Sequence, residues 1–427
     1  MKNKLKQIWL LATIIIFFLS ETKGFAIMND MINVCDVGAK GDGLTDDTTA
    51  FIDAVVKGQT EGKHVYVPRG RYVISKTINL KNIVLSGPDG GAWPSDIESL
   101  PSILPVHTDS PAFNLSAGSS LRGIDISYPK PGKAVKEIKP RPAAIVVSGI
   151  GVFISNLRIR YAWDGIIADG KSNVGRLNIE NVFMAGIQNI GVRMTGTWDV
   201  PHLSNIEVWN SGNNQFVLQN GTGFLLGRND LMRMTDCFAY GMRYGFLFQD
   251  SIDDCKIKGG TWGVMNGCSS DFCINGIVIQ GSHRLSISGG LFMNHKECLV
   301  IDSTKAKIRV SCCELKTNGA PAVYVKNTAH LLLNGCTIMR DMKAHKFPAV
   351  LLEGGDTVLT GNSIESTYTG IEIKPGVRNV LIQGNIIQAP ENIQVVIDKN
   401  TESKVVSTNN ITRSPKYLPS TEPATQE

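Results

Sequence analysis

The side chains best suited to chemistry are carboxylates that follow short apolar runs in the middle of the chain. The first group shares this placement and recurs about once per repeat: Asp169, Trp198, Asp199, Arg228, Asp230, Asp250, Asp253 and Asp254. If repeats stack at the spacing of β-strands, carboxylates on neighbouring repeats stand about 5 Å apart, and those two repeats apart about 9–10 Å. These distances bracket the separations used by retaining and inverting glycoside hydrolases. The catalytic candidates are Asp199, Asp230, Asp253 and Asp254, and the substrate contacts are Asp169 and Trp198. Turn aspartates that only cap their own turns are the alternative.

A second group places aromatic rings beside polar side chains slightly earlier in each repeat. Its members are Arg160, Tyr161, Trp163, Asp164, Trp209, Asn210, Tyr240, Arg243, Tyr244, Asn266 and Asp271. Sugar rings present an apolar face and hydroxyl edges, which such pairs of side chains suit. Arg243 and Tyr244 are the catalytic candidates of a uronate lyase, in which arginine neutralises the carboxylate and tyrosine transfers a proton. The substrate contacts are Trp163, Asp164, Trp209 and Tyr240, and a row of exposed aromatics packed on a loop is the alternative.

Both groups lie within a repeat that must position them. A six-residue phrase recurs every 23–31 residues between Ile154 and Ile382, with apolar first and last positions, as in Ile154–Ile159, Ile257–Trp262 and Ile287–Phe292. A second phrase, such as Gly165–Asp169, alternates apolar residues at i and i+2, which is the period of a strand. No intervening run has the length or the 3.6-residue period of a crossover helix. The repeat predicts a parallel β-helix of about twelve coils.

Two kinds of small polar residue occupy fixed positions in the first phrase. The third position holds Asn156, Asn181, Asn205 and Asp236, and the fourth holds Asn362, Asn385 and Asn409. Asparagine tolerates left-handed backbone, so we expect these residues at corners of the coil, stacked along the rod. Cys237, Cys313 and Cys336 share the fourth position with Leu157 and Val182. We expect free, buried thiols there, with a Cys313–Cys336 or Cys268–Cys273 bridge as the alternative.

The ends of the chain have a different composition from its middle. Lys2, Lys4 and Lys6 precede an apolar run from Ile8 to Leu19, with Gly24 and Ala26 before a cleavage site, so residues 1–26 are expected to be a signal peptide. Its removal lowers the net charge from +5 to about +2. The mature chain is therefore not strongly basic, and its charge gives no indication of nucleic-acid binding. The predicted domains are the β-helix at 27–412 and a disordered tail at 413–427. We expect a secreted or periplasmic protein with no membrane anchor after cleavage.

A basic, proline-rich stretch interrupts the early repeats. It contains Lys130, Lys133, Lys136, Lys139 and Arg141. We interpret it as a loop that leaves the rod, where it either holds an acidic glycan or is simply solvated.

The segment after residue 32 carries a specific signature. The run Asp36–Thr48 leads into an amphipathic helix, and Val65–Tyr72 follows it. These runs resemble the N-terminal signature of the pectate-lyase-like superfamily of right-handed parallel β-helix proteins, which includes polygalacturonase-like hydrolases, polysaccharide lyases and tailspike-like depolymerases. The resemblance implies an all-β, right-handed, single-stranded parallel β-helix with a short N-terminal helix capping the rod.

Catalytic patterns typical of that superfamily are missing from the sequence. Asp253-Asp254 is present, but there is no Gly-His-Gly and no Asn-Thr-Asp, and Lys307-Ile308-Arg309 reverses the order expected of the basic element. The seven histidines are scattered without the spacing of a zinc site. We expect no organic cofactor, while a carboxylate-bound Ca²⁺ stays open.

The prediction is an exported protein that binds a polysaccharide and cleaves it as a glycoside hydrolase or lyase. The alternative is a non-catalytic β-helix that binds glycans or serves at a surface or in assembly. A tailspike-like homotrimer is a further alternative.

Overall fold

The computed structural model describes residues 30–88, 90, 99–130, 139–340, 346–402 and 404–414. The predicted signal peptide at 1–26, the core of the basic loop at 131–138 and residues 415–427 of the predicted tail lie outside these ranges. Within the described ranges, no helix has the length and hydropathy needed to cross a membrane.

The strands of the second phrase stack into one sheet of thirteen parallel strands, which we call face 3. Its strands are Ile78–Leu80, Phe113–Leu115, Ile145–Val147, Asp164–Ala168, Ile190–Met194, Thr222–Leu226, Tyr244–Gln249, Asn275–Gln280, Leu299–Asp302, Val323–Val325, Val350–Leu352, Ile371–Ile373 and Val395–Ile397. Each pairs in parallel with the equivalent strand one coil away. The parallel β-helix is therefore confirmed, with thirteen coils in this face.

The remaining 27 strands form one sheet that bends around a corner. Face 1 contains Met31–Asn33, His64–Tyr66, Val84–Ser86, Ser120–Arg122, Met232–Thr235, Trp262–Asn266, Arg284–Ser288, Lys307–Ser311, His330–Asn334, Gly355–Thr360, Val377–Gln383 and Lys404–Thr408. Face 2 contains Asp42–Asp46, Arg71–Ile74, Ser102–Pro105, Asp125–Ser127, Phe238–Tyr240, Ser269–Cys273, Leu291–Asn294, Glu314–Thr317, Thr337–Arg340, Ser363–Ser366, Ile386–Gln388 and Ile411–Arg413. Three longer strands run through both faces: Phe153–Arg160, Asn178–Ala185 and His202–Trp209. Each coil thus passes through face 1, face 2 and face 3 in turn.

The corner between faces 1 and 2 explains the third position of the phrase. Its residues have φ between 51° and 66°, in the left-handed region, and they include Asn156, Asn181, Asn205, Asp236, Gly267, Gly289, Cys312, Gly335, Gly361, Gly384 and Asn409. The amide of Asn181 donates to Asn156 Oδ1, and the amide of Asn205 donates to Asn181 Oδ1 at 3.1 Å. The predicted corner role and the stacking along the rod are confirmed for the third position. The corner role was wrong for Asn362 and Asn385, which are buried and do not have left-handed backbone.

The first position of the phrase forms an internal column that corrects one copy of the repeat. Met234 pairs with Met265, which pairs in turn with Ile287, Val310, Leu333, Leu359 and Ile382. The assignment of a copy to Ile257–Trp262 was therefore wrong, and the true copy is Met265–Ser270. Ile257 lies instead in a loop, where its backbone N–H donates to Gly170 O at 3.0 Å.

The fourth position of the phrase forms a second internal column. Along the rod, the cysteines Cys313 and Cys336 are followed in this column by asparagines. Asn362 and Asn385 are buried, and each backbone N–H donates to the side-chain oxygen of the next asparagine at 2.9 Å. The last member is Asn410, which corrects the assignment of Asn409, because Asn409 occupies the left-handed third position. The N–H of Cys313 lies 3.5 Å from Cys336 Sγ one coil away. This column satisfies polar groups inside the rod.

All nine cysteines are free, and only Cys35 and Cys312 are exposed. Burial raises the pKa of Cys273 and Cys298 to about 12, so neither thiolate forms near neutral pH. We expect native protein to label at two thiols and denatured protein at nine when titrated with a thiol-specific chromophore. Fewer than nine labels in the denatured, unreduced protein would show a disulfide and contradict this structure.

The N-terminal signature closes the first end of the rod. The helix Thr48–Glu61, called α1, buries Phe51, Ala54 and Val55 against the first coils. Asp47, which is 2% exposed, accepts hydrogen bonds from the N–H groups of Lys40 at 2.6 Å and Gly41 at 3.1 Å. The predicted capping helix is confirmed, and the carboxylates of the signature hold turns.

Candidate functional site

The structure places the two predicted groups at different corners of the rod. The first group follows the strands of face 3 and precedes those of face 1, so it lies at the corner between these faces. Most of the second group lies where the strands of face 2 end and those of face 3 begin. Asn266 is the last residue of a face 1 strand, so its assignment to this group was wrong. Face 3 lies between them, so the two groups do not form one site.

Carboxylates of the first group are engaged mainly with local partners. Asp199 forms an ion pair with Arg176, with 2.7 Å between Oδ2 and Nε. The side chain of Asp199 is 49% exposed and that of Arg176 is 74% exposed. Asp169 accepts from the N–H groups of Lys171 at 2.9 Å and Ser172 at 3.2 Å, which is a turn cap. Trp198 is 55% exposed beside them. A catalytic role for Asp199 remains a prediction.

The other members of this group lie on or near a long loop. Residues 250–260 fold over the outer surface of face 3, where Ile252 and Cys255 pack against Leu225 and Leu247. Asp253 and Asp254 are exposed on this loop. The N–H of Asp230 is bonded to Thr197 O at 2.9 Å, and its carboxylate lies half-buried near the same corner. The roles predicted for these three aspartates remain predictions.

At the corner between faces 2 and 3, extra chain covers the start of the second group. Residues 210–221 contain the short helix Gln215–Asn220, called α2, and its Phe216 ring packs 5.9 Å from the ring of Trp163. The extra chain of the 31-residue repeat that begins at Leu203 therefore lies at this corner. Asp164 accepts from the Asn189 amide at 2.8 Å and the Ile190 N–H at 3.0 Å. Burial raises the pKa of Asp164 to about 6.

The predicted lyase pair lies at the same corner, one coil beyond α2 and three coils beyond Asp164. The guanidinium of the exposed Arg243 stacks on the ring of Tyr244, with 4.9 Å between its carbon and the ring centroid. Tyr244 is half-buried against the cluster of Leu225 and Leu247. Stacking of this kind holds the guanidinium of Arg243 in place over the ring of Tyr244. The roles predicted for this pair in a lyase remain predictions.

On the outer surface of face 2, aromatic rings follow one another from coil to coil. We call this row, Phe183, Trp209, Tyr240, Phe272 and His295, the aromatic stripe. Successive ring centroids lie 6.1, 5.6, 5.8 and 5.6 Å apart. Trp209 and Tyr240 are direct partners in the parallel register, so the contact repeats with the coil. Phe183 is buried, so the accessible part of the stripe runs from Trp209 to His295 and offers an apolar surface with polar edges, which suits sugar rings.

Asp271 continues the column of Trp209 and Tyr240. Its Oδ1 atom is buried, and among the described residues no group donates a hydrogen bond to it. Burial raises the pKa of this carboxyl, while the Phe272 N–H and His295 partly oppose the effect. A carboxyl that stays protonated above the ordinary range can act as a general acid.

A cavity of about 260 Å³ joins Asp271 to a second carboxylate, that of Glu314. Phe238, Leu291 and Met293 supply its apolar wall. Glu314 is exposed and lies two coils beyond Asp271 and two residues to the side in the register. At ordinary strand geometry this offset places the two Cα atoms about 12 Å apart. Both residues line the same cavity, and carboxyl groups about 6.5–9.5 Å apart are the arrangement used by inverting glycosidases.

Our sequence reasoning missed Glu314 and Glu207, which share one position. Both are the fifth residue of the phrase, and the register puts that position on the outer surface of face 2, together with Phe183 and Phe238. Burial raises the pKa of Glu207, which lies between those two rings. A listing of the fifth position in every copy would have revealed both carboxylates.

In the described part of the chain, no group of three or more His, Cys, Asp or Glu side chains is placed to hold a metal ion. The Ca²⁺ site remains a prediction.

Two family models match this chain. Rhamnogalacturonase A/epimerase, pectate lyase-like, matches residues 31–105, and the right handed beta helix region matches residues 275–418. The first covers the N-terminal signature and the second the C-terminal coils. The resemblance to the pectate-lyase-like superfamily of right-handed β-helix proteins is thereby confirmed.

Curated relatives are similar over much of this chain. It is 25% identical over 347 residues to a glucan 1,3-beta-glucosidase of Cochliobolus carbonum, an alignment that covers 78% of the chain and 38% of the relative. It is 25% identical over 303 residues to the pre-neck appendage protein of Bacillus phage phi29, covering 65% of the chain and 31% of the relative. The chain thus spans about a third of the length of these relatives.

Solved structures share the fold at low identity. The A-module of the Azotobacter vinelandii mannuronan C-5 epimerase AlgE6 superposes with a TM-score of 0.53 at 16% identity, over 90% of this chain and all of the module. The pre-mature gene product 12 of bacteriophage phi29 superposes with a TM-score of 0.51 at 14% identity, over 93% of this chain and 59% of its own. These similarities establish the β-helix alone.

Proposed function

We propose that this right-handed β-helix protein, similar to the pectate-lyase-like superfamily, binds an extracellular polysaccharide along face 2 and hydrolyses it. The observation that carries the proposal is Asp271, a carboxyl with a raised pKa and an unbonded oxygen, in one cavity with Glu314 and beside the aromatic stripe. The curated relative that is a glucan 1,3-beta-glucosidase supports carbohydrate chemistry.

The proposed chemistry assigns different tasks to the two carboxyls because their surroundings differ. The partly buried Asp271 donates its proton to the glycosidic oxygen as the bond to the leaving sugar breaks. The exposed Glu314 accepts a proton from the water that attacks the other side of the sugar carbon. The proton lost by Asp271 and the one gained by Glu314 balance over the turnover. The large offset between the two residues favours inversion at that carbon.

The aromatic stripe supplies binding energy in this proposal. Tyr240 and Trp209 stand in the same column as Asp271, one and two coils away, respectively. Sugars stacked on these rings place a glycosidic bond over the cavity. Neither an organic cofactor nor a metal is needed for this chemistry. The N-terminal run of residues 1–26 supports export, so the substrate is an extracellular or cell-surface glycan.

A panel of polysaccharides tests the activity. We expect new reducing ends from at least one polymer, with no rise in the ultraviolet absorbance that unsaturated uronates produce. Absorbance that rises with cleavage would replace hydrolysis by a lyase reaction and would favour Arg243 and Tyr244. Polymers that bind without being cleaved would favour a non-catalytic glycan-binding protein, the second candidate, which the aromatic stripe alone would support.

A binding measurement tests the location of the site. Trp209→Ala removes the largest ring of the stripe, and we expect affinity for the bound polymer to fall about tenfold or more. Trp262→Ala is the matched control, because Trp262 is 55% exposed on face 1 and should leave affinity unchanged. Melting temperatures show whether either variant is folded. Equal losses in both variants, or a loss only in Trp262→Ala, would remove the site from face 2.

A further inference from the structure

We propose that a groove on the outer surface of face 1 binds a linear, single-chain amphiphile with an anionic head group, such as a fatty acid. This face 1 groove has a volume of about 540 Å³ and crosses five successive coils, from the strand Lys307–Ser311 to the strand Lys404–Thr408. Four strand spacings give it a length of about 19 Å. It lies on a different face from the aromatic stripe, so the inference does not depend on the proposed function.

One wall of the face 1 groove is apolar. Leu332, Val358, Leu381 and Val406 follow one another in a single outward column of the register. Leu332 is 38% exposed and Val406 is 40% exposed. Outward positions of a solvated sheet are ordinarily polar, so four aliphatic side chains in a row form an exposed apolar strip. An apolar chain that covers this strip removes both surfaces from water.

One end of the groove is basic. Arg309 precedes Leu332 in the same column, and Arg284 and Lys307 stand on adjacent coils in the neighbouring outward column. All three cationic side chains are exposed, and none of them forms an ion pair in the described part of the chain. They are therefore complementary to an anionic head group placed beside the first leucine of the strip.

The charge of the carboxylate that lines the groove is already balanced. Asp356 accepts hydrogen bonds from Arg378 Nη2 at 2.5 Å and Asn379 Nδ2 at 2.8 Å. Its Oδ2 lies 3.2 Å from Nδ1 of His330. The Arg378 guanidinium lowers the pKa of Asp356 below its ordinary value, so the two residues form a neutral pair near pH 7. With the exposed Lys404 at the far end, the groove keeps a positive potential.

The geometry of face 1 favours an acyl chain over an extended peptide or a glycan. The four strands from Lys307–Ser311 to Val377–Gln383 are paired on both edges, so a peptide finds no free backbone groups with which to pair. Side chains on one face of an extended peptide repeat at about 6.6 Å, whereas the apolar column repeats at about 4.8 Å. No Phe, Tyr or Trp of the described residues lines the groove, so sugar rings have no aromatic platform there. A methylene chain has neither a fixed side-chain period nor polar groups to satisfy.

Displacement of dansylated undecanoate, a fluorescent fatty acid, from the full-length protein tests the site below the concentrations at which micelles form. Dodecanoate should compete at least about tenfold more strongly than dodecyltrimethylammonium, which has the same tail and the opposite charge. Octanoate should compete more weakly than dodecanoate, by about twofold or more for each methylene removed, because each methylene contributes to the apolar contact.

A matched pair of variants tests the apolar wall. Leu332→Ser should weaken the binding of dodecanoate about threefold or more. Val264→Ser is the control, because Val264 is 37% exposed in the same column but stands three coils before Leu332, outside the groove. This control should bind dodecanoate like wild type.

Charge reversal tests the basic end. Lys307→Glu with Arg309→Glu should invert the preference, so that dodecyltrimethylammonium competes more strongly than dodecanoate. Arg233→Glu with Lys258→Glu makes the same change of charge at exposed positions outside the groove and should keep the wild-type preference. Melting temperatures show that each variant is folded.

Several results would overturn the inference. Wild-type protein that does not bind the probe, equal competition by the two dodecyl compounds, and equal losses in Leu332→Ser and Val264→Ser would each do so. Competition by polyglutamate as strong as that by dodecanoate would show a site for acidic peptides that needs no apolar chain. Binding to phosphatidylglycerol vesicles without binding of dodecanoate would show a membrane-binding face instead.

Discussion

Replacing Asp271 with asparagine should lower kcat by at least about 100-fold while leaving the protein as stable as wild type or more so. General acid catalysis contributes about this factor, and asparagine keeps the size of the side chain but cannot transfer the proton. The folded state raises the pKa of Asp271 through burial. The ionised carboxylate is therefore disfavoured in the folded protein, and its removal relieves that penalty at pH values above the raised pKa.

The pH dependence adds a second readout to this prediction. If protonated Asp271 is required, the activity of wild type is full below its raised pKa and falls as pH rises through it. That descending limb should be absent from the residual activity of Asp271→Asn.

The matched control lies at the other corner of the rod. Asp199→Asn breaks an exposed ion pair with Arg176, and exposed pairs contribute little to stability. Asp199 is the competing catalytic candidate from the sequence, and a reaction on face 2 requires near wild-type turnover from this variant. Full activity in Asp271→Asn together with a large loss in Asp199→Asn would move the reaction to the corner between faces 3 and 1.

Ile287→Asp should destabilise the rod by about 5 kcal/mol, which is comparable to the whole stability of many domains. Ile287 is 1% exposed and lies in the internal column between Met265 and Val310. An aspartate there has no partner among these apolar neighbours, so it must be buried charged or take up a proton. We expect a fall in melting temperature and poor secretion.

Ser286→Asp introduces the same charge one residue earlier, on the outer surface of face 1, where its register neighbours are Val264 and Arg309. This variant should melt close to wild type. Similar melting temperatures for the two variants would show that the alternation between inside and outside is assigned incorrectly.

Periodicity was sufficient to predict the fold because each coil repeats the same steric demands. A left-handed corner accepts few residue types, so Asn156, Asn181 and Gly335 mark it in the sequence. Glycines that open strands of face 3 are equally constrained. A Cβ on Gly191, Gly223, Gly245 or Gly276 would lie 2.6–2.8 Å from a carbonyl oxygen of the next coil. Local chemistry of this kind can be recognised without knowledge of the tertiary structure.

Two features could not be predicted from the repeat alone, because one depends on where a loop is inserted and the other on the register between strands. Residues 250–260 contain an Ile-Lys-Gly-Gly run that resembles the phrase, yet Cys255 and Ile252 fasten this loop to the outside of face 3. Asp271 and Glu314 come together only through the offset between strands two coils apart, and the offset follows from the corrected register. The properties of Asp271 also depend on burial, which composition does not reveal.

Two coils in the middle of the rod lengthen at different corners, one through residues 210–221 and the other through residues 250–260. In evolutionary terms, this separates the part of the chain that must be conserved from the part that can vary. A lengthened excursion costs only loop-closure entropy, which rises by about 0.6 kcal/mol for each doubling of its length. The internal columns are left unchanged. A rod of this kind can therefore acquire new walls along its faces, and with them new specificities, one corner at a time.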